Sequence, residues 1–198
     1  MKEQFEWIHS WCDETMRDDL PRVLLIGDSI THNYQATVRE LLRGICYVDY
    51  VATSYAIDTK LYNELIYRFR MDSRYDLIHF NHGLHGIHLS KRSYKNKVTK
   101  LLSKMDQDTK MILATSTVVY QEGNKHLDPA WMKRVKERNV AVQEIAAGKG
   151  YAVDDLYTLS VSMPKEYRYV DGTHYLKEGY DLLAAAVAES ISKNLVKK

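Results

Sequence analysis

The stretch Val23-Leu24-Leu25-Ile26-Gly27-Asp28-Ser29-Ile30-Thr31 decides the fold, because it joins a buried strand to the start of a helix. Four consecutive aliphatic residues, 23–26, are typical of a strand that is covered on both faces of a parallel sheet. Asp28 and Ser29 are residue types that favour helix N-termini. The stretch therefore predicts a strand–turn–helix unit with the Ser29 hydroxyl at the turn.

Four further short runs, rich in β-branched or aromatic residues, have the length of buried strands. They cover residues 46–51, 77–80, 111–114 and 151–153. Amphipathic segments with helical spacing lie between them, and Leu61, Leu65 and Phe69 form one such apolar face. Strands that alternate with helices predict a parallel sheet covered on both faces. We expect an α/β fold, a flavodoxin-like doubly wound sheet of five parallel strands.

Residues 1–198 are predicted to form a single domain, because no Ser/Pro/Gly-rich linker and no internal repeat divides them. Residues 1–20 precede the first predicted strand, and we expect them to be a helical N-terminal extension. This segment carries acidic residues and lacks the apolar stretch of about 7–15 residues found in signal peptides. The sequence as written therefore predicts a cytoplasmic protein, and an exported protein with its signal trimmed is the alternative.

Composition and charge exclude several functions. The chain has Lys+Arg 28 against Asp+Glu 26, an excess too small to predict a nucleic-acid partner. No run of about 18 apolar residues predicts a membrane span. The two cysteines, Cys12 and Cys46, supply neither a disulfide framework nor a zinc-ligand set. We expect no nucleic acid, no membrane and no cofactor, and the oligomeric state stays open.

A second segment, Asp171-Gly172-Thr173-His174-Tyr175, precedes the last predicted helix. A hydroxyl becomes a nucleophile when an imidazole takes its proton and a carboxylate orients that imidazole. Asp171 and His174 are three residues apart in a turn that contains glycine, so both side chains can enter one cleft. Taken separately, each segment is also compatible with ordinary structure, a helix cap at Ser29 or a turn at Asp171.

Together the two segments resemble the SGNH (GDSL) hydrolase family, whose first block is Gly-Asp-Ser-x-x and whose last block is Asp-x-x-His. The resemblance covers the chain from Pro21 to the C-terminus and implies a flavodoxin-like esterase or lipase, often acting on acylated carbohydrates. It implies Ser29 as the nucleophile, His174 as the general base and Asp171 as the residue that orients it. The α/β-hydrolase motif Gly-x-Ser-x-Gly is absent from the sequence.

The resemblance also implies donors for an oxyanion hole, but the middle blocks of this chain depart from the family pattern. The first donor is the backbone N–H of Ser29. The glycine of the second block is missing from residues 52–59, so the backbone N–H of Ala56 or Ile57 is the predicted second donor. The third block normally reads Gly-x-Asn-Asp, whereas residues 80–86 read Phe-Asn-His-Gly-Leu-His-Gly. Asn81 is therefore the predicted side-chain donor.

A series of histidines three residues apart, His79, His82, His85 and His88, lies in the same region. This spacing suits a metal site, but glycines interrupt any helix there and no cysteine or carboxylate cluster completes a ligand set. We predict no metal. The predicted substrate contacts are Asp28, Tyr55, His82, His85 and Tyr120.

The sequence predicts a serine esterase that removes a short acyl group, acetyl in particular, from a small-molecule or carbohydrate ester. The 15 tyrosines favour a sugar-like substrate, because an aromatic face with a polar tip suits a sugar ring. No long apolar lid segment is evident, which favours a short acyl chain. Three alternatives stay open: a glycan-binding module of the same fold with weakened catalysis, a histidine metal site, and an acyltransferase with the same triad.

Overall fold

The computed structural model describes residues 4–105 and 108–195. Its strands are β1 Ile8–Trp11, β2 Arg22–Gly27, β3 Tyr47–Thr53, β4 Leu77–Asn81, β5 Lys110–Ala114 and β6 Ala152–Asp154. They form a six-stranded sheet in the order β1-β3-β2-β4-β5-β6. Strands β2 to β6 run parallel, and β1 pairs antiparallel with β3. The predicted flavodoxin-like sheet of five parallel strands is confirmed, and an antiparallel strand is added at its edge.

The helices are α1 Ser29–Leu41, α2 Lys60–Asp72, α3 Lys91–Leu102, α4 Pro129–Lys149, α5 Leu156–Ser162 and α6 Lys177–Asn194. Polar residues begin most of them: the side chains of Asp28, Thr59, Ser90 and Asp128 each accept a hydrogen bond from a first-turn backbone N–H. Gly150, at φ 71°, ends α4 in the left-handed conformation that glycine adopts without strain. Among the described residues, no helix has both the length and the apolar character needed to cross a membrane.

The sheet separates two layers of apolar side chains. One layer joins the sheet to α1 and α6, through residues such as Val38 and Leu183. The other joins the opposite face to α2 and α3, through residues such as Ile66 and Val98. The central strands β2, β3 and β4 are buried along their whole length, as their unbroken apolar runs predict. Their carboxyl ends therefore meet at one edge of a rigid scaffold.

The N-terminal segment differs from the helical extension that the sequence predicts. It contains no helix over residues 4–20, and β1 pairs with β3 instead, with Ile8 opposite Thr53. The backbone of Trp7 is held at the end of β3, where its N–H donates to Ser54 Oγ and its carbonyl accepts from Thr53 Oγ1. Pairing along the edge gives the backbone groups of β1 hydrogen-bond partners on β3.

Candidate active site

Ser29 is the first residue of α1, and Asp28 alone separates it from the end of the central strand β2. The buried Asp28 carboxylate caps this helix, and it accepts hydrogen bonds from the backbone N–H of Ile30 at 3.1 Å and of Leu84 at 3.2 Å. Gly27 is confined as well, since a Cβ there would lie 1.9 Å from Thr31 Oγ1. The turn is therefore fixed from both sides, and the Ser29 hydroxyl is held at the edge of the sheet.

A hydrogen-bonded chain connects Ser29 to the segment before α6. His174 Nδ1 lies 2.7 Å from Asp171 Oδ2, and His174 Nε2 lies 2.8 Å from Ser29 Oγ. A carboxylate only accepts hydrogen bonds, so Nδ1 carries the proton and Nε2 of the neutral ring is left to accept from the serine hydroxyl. This is the tautomer that a general base needs. The structure thus brings together the three residues predicted to form the triad.

Backbone N–H groups of the same turn fix the Asp171 carboxylate. Its Oδ1 accepts from the N–H of Thr173 and from the N–H of His174, both at 2.9 Å. Burial alone would raise the pKa of Asp171, but these hydrogen bonds and the one from the His174 ring lower it overall. Asp171 is therefore ionised at neutral pH and favours the protonated Nδ1 of His174.

Gly172 holds this turn against a neighbouring segment. Its φ is +78°, and a Cβ there would lie 2.1 Å from the carbonyl oxygen of Tyr120. The N–H of Tyr120 donates to the carbonyl of Gly172 at 2.8 Å. Only glycine combines this backbone angle with so close an approach, which gives the Asp-Gly pair of the sequence motif a structural reason.

The loop of residues 82–86 follows β4 and lies beside the turn that contains Gly27 and Asp28. His82 is buried, and its Nδ1 donates to the carbonyl of Gly27 at 3.2 Å. Burial lowers the pKa of His82 to about 4, although the nearby Asp28 carboxylate opposes this effect. A neutral imidazole therefore connects this loop to the residues that precede Ser29.

Arg138 of α4 holds the carbonyl side of this loop. Its fully buried guanidinium donates to the carbonyls of Gly83, His85 at 2.9 Å and Gly86 at 2.6 Å. The Tyr94 hydroxyl adds a hydrogen bond to the carbonyl of His82 at 2.9 Å. The arginine also lies over the Tyr94 ring, 4.9 Å from its centroid. The loop is thus rigid although it has no regular secondary structure.

A cavity of 190 Å³ opens beside the Ser29 hydroxyl. Its walls combine polar groups of the triad region with apolar side chains from three other segments. The lining residues are Ser29, Leu84, His85, Val119, Trp131, Thr173 and His174. A small, mostly apolar pocket next to a hydroxyl, an imidazole and a carboxylate has the composition of a site for acyl transfer.

Asn81 has the surroundings of a core residue. It is the last residue of β4, it is buried, and its amide donates to the Tyr34 hydroxyl at 3.4 Å. Side chains alternate along a strand, and this alternation places Asn81 beneath α1, among the residues of the core, and not on the cavity beside Ser29. Asn81 as the side-chain donor to an oxyanion therefore stays a prediction from the resemblance alone.

Neither Ala56 nor Ile57 lines this cavity. Both are buried in the loop after β3. Ala56 lies close to Gly86, since a Cβ added to Gly86 would be 2.8 Å from the Cβ of Ala56. Ile57 borders a different cleft, which is lined by Lys97, Lys100 and other residues of α2 and α3. Their backbone N–H groups as oxyanion donors stay a prediction from the resemblance alone.

The predicted substrate contacts separate into two groups. His85 lines the cavity. Asp28 and His82 are buried in hydrogen bonds that hold the turn before Ser29. Tyr55 packs against the apolar layer under α2, and Tyr120 lies under the Arg168 guanidinium, 4.1 Å from the ring centroid. Of the five, His85 lines the cavity, Asp28 and His82 are buried, and Tyr55 and Tyr120 are half-buried.

The histidine series does not gather into a metal site. His79 lies in the core, 3.0 Å from Asp154 Oδ2, while His88 is near the surface, 2.9 Å from Asp58 Oδ2. His82 faces the turn before Ser29, and His85 lines the cavity. No group of three or more metal-binding side chains occurs in the part of the chain that the structure describes.

Sequence reasoning missed the residues that complete the cavity and its support. Val119, Trp131 and Arg138 belong to segments without a recognisable motif. The sole signal for Arg138 is its place on the inner face of α4, three residues after Val135 and four before Val142. A charged residue on such a face is a candidate for a buried hydrogen-bonding role.

No protein-family model and no curated protein matches this chain. Solved structures do match it. A lipase/acylhydrolase from Enterococcus faecalis has a TM-score of 0.74 at 18% identity, over 90% of this chain and 99% of that one. The C-terminal catalytic domain of peptidoglycan O-acetyltransferase A from Streptococcus pneumoniae has a TM-score of 0.68 at 18% identity, over 90% and 99%. A catalytic mutant of an acetylxylan esterase from Geobacillus stearothermophilus has a TM-score of 0.68 at 17% identity, over 86% and 94%.

Other matching structures are a GDSL-like lipase from Bacteroides thetaiotaomicron and a member of the lipolytic G-D-S-L family from Veillonella parvula. The fold of this chain is therefore that of the GDSL, or SGNH, hydrolases. The resemblance that the two sequence blocks carry is confirmed at the level of the fold.

Proposed function

We propose that this chain is a single-domain serine esterase that hydrolyses a short-chain acyl ester, acetyl in particular, on a small-molecule or carbohydrate alcohol. The observation that carries the proposal is the continuous chain from Asp171 through His174 to Ser29 Oγ, with hydrogen bonds of 2.7 and 2.8 Å, at the mouth of a cavity. In the reaction, His174 takes the Ser29 proton as the oxygen attacks the ester carbonyl. It then protonates the leaving alcohol, and water repeats the sequence to release the acid.

The cavity supports a short acyl group. Its apolar wall consists of Leu84, Val119 and Trp131, and its volume is 190 Å³. The acetylxylan esterase with the same fold acts on an acetylated carbohydrate, as its name states. The His174 side chain is 34% exposed, so an alcohol or a water molecule can reach its Nε2 from solvent.

Hydrolysis of p-nitrophenyl acetate by the wild type and by Ser29→Ala tests the proposal. We expect Ser29→Ala to lose turnover by ~10³-fold or more, and His174→Ala to lose it by ~10²–10⁴-fold, because the nucleophile and its base act as a unit. The matched control is Ser192→Ala, which changes an exposed serine of α6 and should keep the wild-type rate.

Equal rates in the wild type and Ser29→Ala would contradict the serine mechanism. A wild type that hydrolyses no ester but gains thermal stability from an acetylated sugar would instead favour a glycan-binding module. The comparison is valid when each variant has the same far-UV circular dichroism spectrum as the wild type, because the variant is then folded.

An acyltransferase is the second candidate, and the fold shared with the O-acetyltransferase catalytic domain favours it. Both reactions use the same acyl-enzyme, and they differ in whether water or an alcohol attacks it. We expect mainly acetate as product in the presence of sugar alcohols, measured by chromatography of the released acid and of the acetylated acceptor. An excess of acetylated acceptor over acetate would assign the chain to the transferases.

A further inference from the structure

The alcohol part of the substrate needs a surface outside the cavity beside Ser29. The cavity has a volume of 190 Å³, which is less than the ~300–1,000 Å³ of pockets that enclose a whole drug-sized ligand. The acyl group that enters it is joined to the alcohol through the ester oxygen, so the alcohol extends out of the cavity mouth. The side chains that adjoin the cavity wall are therefore the ones that can select the alcohol.

Trp7 adjoins both the cavity wall and the helix of the nucleophile. Its ring centroid is 6.3 Å from that of His85, which lines the cavity. On its other contact, the Trp7 ring centroid is 6.1 Å from that of His32. His32 lies in α1, about one helical turn after Ser29. The indole is thus placed next to the catalytic edge by contacts with two different segments.

We propose that Trp7 is the stacking surface for the sugar ring that carries the ester, a role that rests on the esterase function proposed above. Trp7 is half-buried. Its ring neighbours His9, His32 and His85 are all inclined to the indole, at interplanar angles of 40°, 48° and 85°, so none of these three stacks on its face. A pyranose ring presents C–H groups on its face, and stacking them on an indole removes apolar surface of both from water.

The groups beside the indole favour a sugar over an apolar alcohol. His9 and His32 stack on each other next to it, with ring centroids 4.3 Å apart, and His32 Nδ1 lies 3.2 Å from the Tyr50 hydroxyl. Burial lowers the pKa of His32 and the nearby His9 adds to this effect, so the ring is neutral at pH 7. An apolar face bordered by neutral polar groups matches the C–H face and the hydroxyl rim of a sugar. A lipid chain would instead take these polar groups out of water without a partner.

The backbone fixes the position of Trp7 before any substrate binds. Its N–H donates to Ser54 Oγ at 2.9 Å, and its carbonyl accepts from Thr53 Oγ1 at 2.7 Å. Both partners lie at the carboxyl end of β3, which is the edge of the sheet where Ser29 lies. An aromatic ring that is held in place loses little freedom when a ligand binds, and more of the contact then contributes to affinity.

The first test compares sugar esters with an ester that has no ring. The substrates are mono-acetylated methyl pyranosides of the gluco, galacto and xylo series, and ethyl acetate. The wild type should favour at least one pyranoside ester over ethyl acetate by ~10-fold or more in kcat/KM, and Trp7→Ala should lower that preference by ~10-fold. The loss should fall on KM for the pyranoside ester, because stacking binds the ground state and the transition state alike. Trp7→Phe should recover most of it.

Trp11→Ala is the matched control. Trp11 lies four residues further along the same segment, opposite Tyr50, and its ring lies under the Arg39 guanidinium at 4.9 Å. Trp11 is thus a tryptophan of β1 that is away from the carboxyl end of β3, and its loss should leave the preference for the pyranoside ester at the wild-type value.

A second measurement does not depend on turnover. The pyranoside esters should change the tryptophan fluorescence of Ser29→Ala as they bind. This change should disappear when Trp7→Phe is added to Ser29→Ala, and it should persist when Trp11→Phe is added instead.

Three results would overturn the inference: a wild type that prefers none of the pyranoside esters to ethyl acetate, a Trp7→Ala variant that loses both activities equally, and a fluorescence change that survives Trp7→Phe. Failure of the esterase proposal is distinguishable. It would be seen as no hydrolysis of any of these esters, or as Ser29→Ala turning over as fast as the wild type, while the fluorescence change that depends on Trp7 remained.

Discussion

The Arg138 guanidinium binds three backbone carbonyls, those of residues 83, 85 and 86. Burial lowers the pKa of this arginine, and the Asp28 carboxylate and Tyr94 hydroxyl oppose that effect. Burying a cation costs free energy unless its N–H groups are satisfied. The arginine therefore stays in the core because the irregular loop offers carbonyls that no strand or helix uses, and the loop stays ordered for the same reason.

His82 carries a pH dependence of stability that belongs to the same region. In the unfolded chain, its ring gains a proton as the pH falls through about 6.5, whereas in the folded chain it does so only near pH 4. Between these values the unfolded state binds more protons, so the free energy of unfolding decreases as the pH falls. The contribution of His82 to the free energy of unfolding is therefore fully present above pH 6.5 and lost by about pH 4.

We expect urea unfolding of the wild type to lose about 3 kcal/mol of stability through His82 over this range. His82→Asn keeps a donor for the Gly27 carbonyl but does not titrate, so its stability should fall by less between pH 6.5 and pH 4. His126→Asn, at an exposed histidine, is the control and should follow the wild type. Parallel curves for His82→Asn and the wild type would contradict the buried, neutral state of this histidine.

At the scale of elements, the turn before α6 is as constrained as the turn after β2. The turn of residues 171–174 rests on the segment around Tyr120, with Gly172 in the left-handed region. Each turn contains a glycine, Gly27 or Gly172, that leaves no space for a Cβ. Ser29 and His174 are 145 residues apart in the chain, so their contact requires both turns and the packing of α1 against α6.

Gly172→Ala tests this dependence. The added Cβ would meet the Tyr120 carbonyl oxygen, and alanine at φ +78° is strained. We expect the turn to shift and kcat to fall at least ~10²-fold, since a misplacement of about 1 Å in a reacting group has such an effect. Rates on p-nitrophenyl acetate and thermal unfolding measure the two consequences separately.

Gly148→Ala is the matched control for that variant. Gly148 lies inside α4, and a Cβ there would meet no atom within 4 Å. Alanine should therefore stabilise the helix by about 0.5–1 kcal/mol and leave turnover unchanged. Gly172→Ala with a rate equal to that of Gly148→Ala would show that the turn tolerates a side chain.

Helix α2 illustrates how far periodicity alone predicts an element. The apolar spacing correctly predicts a helix, but the residues it buries are Tyr62 and Ile66, while Leu61 is 44% exposed. The buried face is shifted by one residue because the Tyr62 ring packs beneath the loop after β4, 4.6 Å from the His82 ring. A tyrosine side chain is both apolar and polar, so the sequence does not indicate whether it faces the core or solvent, and the tertiary contact decides this.

For the molecule as a whole, the sequence predicts what short continuous patterns encode. Buried parallel strands leave unbroken apolar runs, and the Ser29 and His174 turns carry distinctive residue types. Strand β1 lacks such a pattern, because all of its residues are exposed and its stability comes from pairing with β3. No local periodicity records a partner strand some 40 residues away.

The surroundings of Asn81 could not be predicted from the sequence for a related reason. Asn81 is the one asparagine in residues 80–86, and a resemblance based on residue type therefore points to it. The structure extends β4 through Asn81, and strand alternation then turns the side chain toward α1. Arg138 was missed because a single arginine in a long amphipathic helix is usually solvated. In both cases the sequence does not give the side on which the residue lies, because that side depends on strand register and on contacts with segments distant in sequence.

The carbonyl side of the loop at residues 82–86 is bound by Tyr94 from α3 and Arg138 from α4, and this limits how the protein can be redesigned. The loop is not an exchangeable module, since a loop grafted from another hydrolase would present its carbonyls at other positions to a buried guanidinium. A chimera would need the loop, the tyrosine and the arginine transferred together. Val119 and Trp131 line the cavity beside Ser29 but take no part in these hydrogen bonds. A library that varies these two positions can therefore reshape the acyl pocket and leave the hydrogen bonds of Tyr94 and Arg138 to the loop unchanged.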